Sequence, residues 1–110
     1  MEFINRIELK GIVGASAVNK VGDSKVCRFS LATEYAYMGS DGTQIVETCW
    51  FQVTGWEGKD VPDLDSISRG SAVHVLGRLK CYRYTDAQGN DRTMFEVIAR
   101  QVRVMDRESE

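Results

Sequence analysis

Apolar and polar residues alternate with a period of two in five stretches of this chain, the pattern of half-buried strands. The first is INRIELKGIVG, Ile4 to Gly14, where Ile7 and Leu9 oppose Arg6, Glu8 and Lys10. The second, SKVCRFSLATEYAY, runs from Ser24 to Tyr37 and turns Cys27, Phe29 and Leu31 inward. In the third, ETCWFQVTGW (Glu47 to Trp56), Cys49, Phe51 and Val53 share one face, and Thr48, Trp50, Gln52, Thr54 and Trp56 the other. The fourth, SAVHVLGRLKCYRY (Ser71 to Tyr84), has Val73, Val75, Leu79 and Cys81 inward and His74, Leu76, Arg78, Lys80, Tyr82 and Tyr84 outward. The fifth, RTMFEVIARQVRVM, runs from Arg92 to Met105; its alternation slips near Arg100, which predicts a bulge or bend there.

The connections carry turn chemistry. GSDGTQ reads as a turn, with two glycines and an aspartate, and TDAQGND as a hairpin loop. VPDLDSISRG differs. Pro62, the only proline, suits a helix's first turn, acids suit its start, Arg69–Gly70 suits its end, and Leu64 and Ile67 give it one apolar side. Three strands, a short helix and two more strands fit an all-β OB-fold, a five-stranded Greek-key barrel with one short helix between strands three and four. Gly11, Gly14 and Gly77 suit its curvature. An SH3-like barrel or small sandwich shares the strands but fits the mid-chain helix less naturally.

With 110 residues, 43% of them hydrophobic and 27% charged, the chain is long enough for one globular domain and too balanced for disorder. We take 1–105 as the domain and 106–110 as a short acidic end. No apolar run reaches the roughly 18 residues of a membrane span, and MEFINR has no apolar signal core, so a cytosolic protein is expected. Cys27, Cys49 and Cys81 fall at inward positions and read as three reduced core thiols; a zinc site of these three with His74 lacks any close ligand pair.

The net charge of −2 is no basic signature, but Arg69 to Arg103 carries a local excess of four positive charges. Glu57, Asp60, Asp63 and Asp65 read as a solvated helix start. No nucleophile motif, GxGxxG or P-loop is present, so no enzyme, metal or cofactor is expected.

The third strand raises the functional question, because its two tryptophans lie on the polar face. On the next strand in sequence, cations and phenol rings interleave. Flat rings stack on bases while cations hold the phosphates between them, which suits single strands; a duplex hides its base faces. Packing against a helix or another subunit would also place rings outside. A protein-interaction module of a primosome-like replication assembly is therefore the alternative reading.

INRIELKGIVG, FSLATE, TCWFQVTGWEGK, RGSAVHVLGRLK and YRYTDAQGNDR, taken together and in order, resemble the bacterial single-stranded DNA-binding protein family from about Asn5 to Met105. The resemblance implies an OB-fold homotetramer that wraps single-stranded DNA in replication, recombination and repair, in the cytoplasm and associated with the nucleoid. By position, the family's stacking rings fall on Tyr37, Trp50, Trp56 and Tyr84, with Tyr82 beside them, and its basic positions on Lys10, Lys59, Arg78, Lys80 and Arg83. Tyr37 and Tyr84 stand where tryptophan is common in the family, and Phe51 where histidine often lies near a subunit interface. The strand-one edge, Phe3 to Ile12, is the expected pairing surface between subunits. The family usually continues into a Gly/Pro/Gln-rich linker and an acidic tip that recruits replication and repair proteins; this sequence ends at VMDRESE.

Overall fold

A computed structural model describes residues 1–58, 61 and 64–105. Five strands account for most of it: β1 (Ile7–Val21), β2 (Ser24–Met38), β3 (Gln44–Trp56), β4 (Ala72–Thr85) and β5 (Asp91–Met105). They close into a barrel in the order β1-β2-β3-β5-β4, all neighbours antiparallel except β3 and β5. This is the OB-fold expected from the strand order. No helix among the described residues is long and apolar enough to cross a membrane.

Closure depends on β1 serving two neighbours. Ile7–Ile12 pair with β4, and Ile12–Val21 pair with β2. The strand therefore continues well past Gly14, where the alternation alone ended it. Gly14 is the extra residue of a bulge: Val13 faces Leu31 and Ala15 faces Ser30. The Ala15 amide donates to the Ser30 hydroxyl at 3.1 Å, so the displaced backbone donor keeps a partner. A second bulge is the one expected near Arg100. Leu76 faces Gln101 and Gly77 faces Ala99, which leaves Arg100 as the extra residue.

The expected short helix is reduced, among the described residues, to a single 3₁₀ turn, Leu64–Ser66. Asp and Ser bond locally to backbone and are weak helix formers. Here the Ser71 hydroxyl donates to the Ser66 carbonyl at 3.3 Å and the Ser68 amide donates to that same hydroxyl at 3.3 Å. Gly70, at φ 88°, then turns the chain into β4. The segment has the expected apolar side, because Leu64 and Ile67 are buried with Val13, Phe29, Leu31, Val53, Val75 and Val97 in the core. Pro62, Asp60 and Asp63, also assigned to the helix start, lie outside the described residues.

The β2–β3 and β4–β5 pairs run on past the barrel as hairpins, paired as far as Met38↔Gln44 and Thr85↔Asp91. At the β4–β5 tip the Asp86 carboxylate accepts from Arg92 Nε at 2.9 Å and from the Asn90 and Gln88 amides at 2.9 and 3.0 Å. The Arg92 guanidinium first, then the amides, hold its pKa below the usual carboxylate range.

These projecting hairpins correct the reading of the cysteines. Cys27 is buried, but Cys49 and Cys81 are exposed. Both have inward parity, yet each sits where its hairpin has left the barrel and the inward face no longer has a core to meet. Phe95, opposite Cys81, is exposed for the same reason. Burial also pushes the Cys27 thiol pKa up. An aromatic disulfide reagent will therefore titrate two of the three thiols in the native protein and the third only after denaturation; three fast thiols, or one, would contradict this placement.

Candidate single-strand interface

The outer face of the barrel can be read row by row from the strand register. One row crosses all five strands: Ala17 on β1, Arg28 on β2, Thr54 on β3, Ile98 on β5 and Arg78 on β4. Trp50 and Trp56 stand on the same β3 face as Thr54, four and two residues away. Six residues of strand separate the rings by roughly 20 Å, which keeps them apart as two distinct exposed surfaces. They are 58% and 43% exposed.

Strand β5, not β4, is the spatial neighbour of β3. The cationic strand is thus displaced from the tryptophans by two strand spacings, about 10 Å. On β4, Arg78, Lys80, Tyr82 and Tyr84 keep a common face, opposite Ile98, Glu96, Met94 and Arg92. Lys80 Nζ lies 5.9 Å from the centroid of the Tyr82 ring. The intervening acid, Glu96, is engaged by the hydroxyl of Thr54, itself only 5% exposed. No carboxylate lies within ion-pair distance of Arg78 or Lys80 among the described residues.

The remaining candidates separate. Lys10 faces outward on β1 opposite His74, and with Ala32, Glu34 and Thr48 it borders a groove of about 420 Å³. His74 is half-buried and meets Glu8 at 2.6 Å, an ordinary cross-strand partner. Tyr37 pairs with Ile45 and shares its face with Tyr35 and Glu47, so it lies on the opposite face of the β2–β3 hairpin from Trp50. Its hydroxyl donates to Glu47 at 2.9 Å, which raises its pKa. Arg83, opposite Thr93, is on the reverse face of the β4–β5 hairpin from Lys80 and Tyr82. Lys59 lies outside the described residues. Cys27, Cys49, Cys81 and His74 do not come together, and no group of three metal-ligating side chains forms among the described residues.

Two features were missed by sequence reasoning. Arg28 joins the face, a placement that only the β2–β3 register reveals. The other is the seat of Trp50. Ala32, the residue opposite Trp50, is small, and the indole reaches past it to the β1 bulge. A Cβ on Gly14 would lie 2.5 Å from Cζ3 and 2.8 Å from Cη2 of that ring. Gly14 does not have a positive φ, so alanine there is excluded by the ring and not by the backbone. The atoms in the way are the free end of an exposed side chain, and the ring will yield. In a Trp56→Phe background, Gly14→Ala will shift Trp50 emission to the red and raise its quenching by acrylamide, with little change in Tm. Unchanged emission would show that the ring does not rest on Gly14.

An OB-fold barrel with exposed rings and unpaired cations on one face belongs to the class of small β-barrels that bind oligonucleotides and oligosaccharides. The chain is a member of the single-strand binding protein family, whose sequence pattern matches residues 4–105. It is 26% identical over 108 residues to single-stranded DNA-binding protein 1 of Xylella fastidiosa, covering 96% of this chain and 79% of that one. It is 24% identical over 80 residues to the single-stranded DNA-binding protein of Neisseria meningitidis, covering 73% of this chain and 46% of the relative. The chain thus spans about half the length of the Neisseria relative. Among solved structures, a Plasmodium falciparum SSB in complex with single-stranded DNA superposes with a TM-score of 0.84 at 23% identity, over 96% of this chain and 98% of that one. A deletion mutant of the Thermus aquaticus single-stranded DNA binding protein gives 0.80 at 16% identity, over 96% of this chain and 52% of that one.

Proposed function

We propose that this chain is a non-enzymatic protein that binds single-stranded DNA with little regard to sequence and protects it during replication, recombination and repair. The observation that carries the reading is the shared outer face: two half-exposed tryptophans flanked by cations with no carboxylate partner among the described residues. Membership of the family supports it, as does the likeness in fold to a protein solved with single-stranded DNA. Trp50, Trp56, Tyr82 and Tyr84 stack bases, and Arg78 and Lys80 neutralise phosphates. Lys10 extends the cationic face across β1. Tyr37 and Arg83 meet the strand where it passes the reverse faces of the two hairpins, and Lys59 adds a further phosphate contact. The chain acts as a homotetramer in the cytoplasm, at the nucleoid, with replication and repair proteins as partners. The β2-facing edge of Ile7–Gly11, which has no strand neighbour among the described residues, receives a second copy.

Titration of tryptophan fluorescence with oligo-dT tests this reading. Saturable quenching, weaker at high salt and absent with duplex, is the expected result. Replacing Arg78 and Lys80 together by alanine will flatten the slope of log K against log salt by about 1.4, at roughly 0.7 per phosphate contact on a single strand. Unchanged emission in a folded sample would overturn the proposal and favour a face that binds protein.

A further inference from the structure

The β5 bulge does more than bend the strand. Beside it is a hollow of about 410 Å³, bordered by Asn5, Arg6, Gly77, Arg78, Ile98 and Arg100. Three arginines thus line one depression, and no acid is among its lining residues. None of the three has an ion-pair partner among the described residues, whereas Arg92, on the same strand as Arg100, is tied to Asp86. Three arginines around one hollow with no acid in its lining raise the local positive potential, an arrangement that an anion relieves.

The hollow is built by specific features of the fold. Arg100 reaches it because it is the extra residue of the bulge. Gly77 leaves the floor without a side chain, since a Cβ there would collide with the Ile98 carbonyl. Arg6 is placed by its neighbour: the Asn5 side-chain amide donates to the Leu79 carbonyl at 2.7 Å, and its oxygen accepts from the Leu79 amide at 2.9 Å. This pair of hydrogen bonds to β4 fixes the segment that carries Arg6 before β1 begins. The parallel register Val53↔Val97, Thr54↔Ile98, Gly55↔Ala99 ends one residue before Trp56 on β3 and one residue before Arg100 on β5.

We infer that Arg6, Arg78 and Arg100 form a phosphate-binding hollow, which holds a backbone phosphodiester of the single strand next to the base stacked on Trp56. Arginine suits this role, because its planar fork can offer two parallel N–H groups to one phosphate. The inference rests on the single-strand reading and adds Arg6 and Arg100, neither of which is among the phosphate contacts expected from the sequence. It also gives the strand a path: from Trp50 along β3 to Trp56, then across the bulge toward the N-terminal segment.

The test is oligo-dT binding by the full chain carrying Arg6→Gln and Arg100→Gln, singly and together, across a range of salt. Each single variant will lose roughly three- to tenfold in affinity at low salt, and the pair will flatten the log K against log salt slope by about 1.4. Tm will stay unchanged, and the quenching at saturation will be retained, because both rings still stack. Asn5→Ala will weaken binding through Arg6 and have no further effect once Arg6→Gln is present. A double variant with the wild-type slope would overturn the hollow while leaving the single-strand reading in place. Failure of the wild-type chain to bind oligo-dT would overturn both.

Discussion

Trp50→Ala combined with Trp56→Ala will lower affinity for oligo-dT by roughly thirtyfold or more while leaving the barrel folded. Base–aromatic stacking contributes about 1–3 kcal/mol per base, and two rings some 20 Å apart hold different bases, so their losses add to within a fraction of a kcal/mol. Each single variant will lose roughly five- to a hundredfold. Stability should change little, since neither ring belongs to the buried core. The salt slope is the informative control. Removing rings leaves every cation in place, so the slope stays at the wild-type value although the affinity falls. Arg6, Arg78, Lys80 and Arg100 behave in the opposite way, with a reduced slope and retained quenching. A double tryptophan variant that bound as tightly as wild type would show that the rings do not stack on bases.

The two signatures separate because the face mixes two kinds of side chain in different strands. That mixture was legible in the sequence. Alternation put Trp50 and Trp56 on one side of β3 and Arg78, Lys80, Tyr82 and Tyr84 on one side of β4, and the register confirms both sets. Strand order was legible too, together with the slip at Arg100. What alternation could not supply is which strands become neighbours. In sequence β4 follows β3; in the barrel β5 lies between them, so Glu96 and its contact with Thr54 enter the middle of the face. Nor does parity give the length of the core. Cys49, Cys81 and Phe95 continue an inward pattern beyond the point where there is an inside, because hairpins can extend past a barrel without any change in period. The same period-two rule puts Tyr37 and Arg83 on the reverse faces of their hairpins, a consequence that positional resemblance alone conceals. The helix is short for a local reason: in the fifteen-residue connection between Trp56 and Ala72 the Ser71 hydroxyl bonds to the backbone of Ser66 and Ser68, and the single turn described there is enough to place Leu64 and Ile67.

Gly77→Ala will destabilise the barrel by about 3 kcal/mol, the upper end of what overpacking costs, and lower Tm by roughly 12–20 °C for a domain of this size. The new Cβ would strike the carbonyl oxygen of Ile98 and come within 2.9 Å of its carbon and 3.0 Å of Ala99 Cα. These are backbone atoms of the paired strand at the β5 bulge, and no rotamer change relieves them. Relief requires β4 and β5 to part where the barrel bends. Gly14→Ala is the same chemical change on another bulge, and its result is opposite. There the obstacle is the tip of an exposed indole, so the ring moves and the backbone does not. The two bulges thus serve different ends, one fixing the curvature of the barrel and the other the position of the exposed Trp50 ring. Thermal unfolding of the two variants side by side decides the matter. Equal losses in Tm would mean that both glycines are needed for closure alone, and that the seat under Trp50 has no separate role.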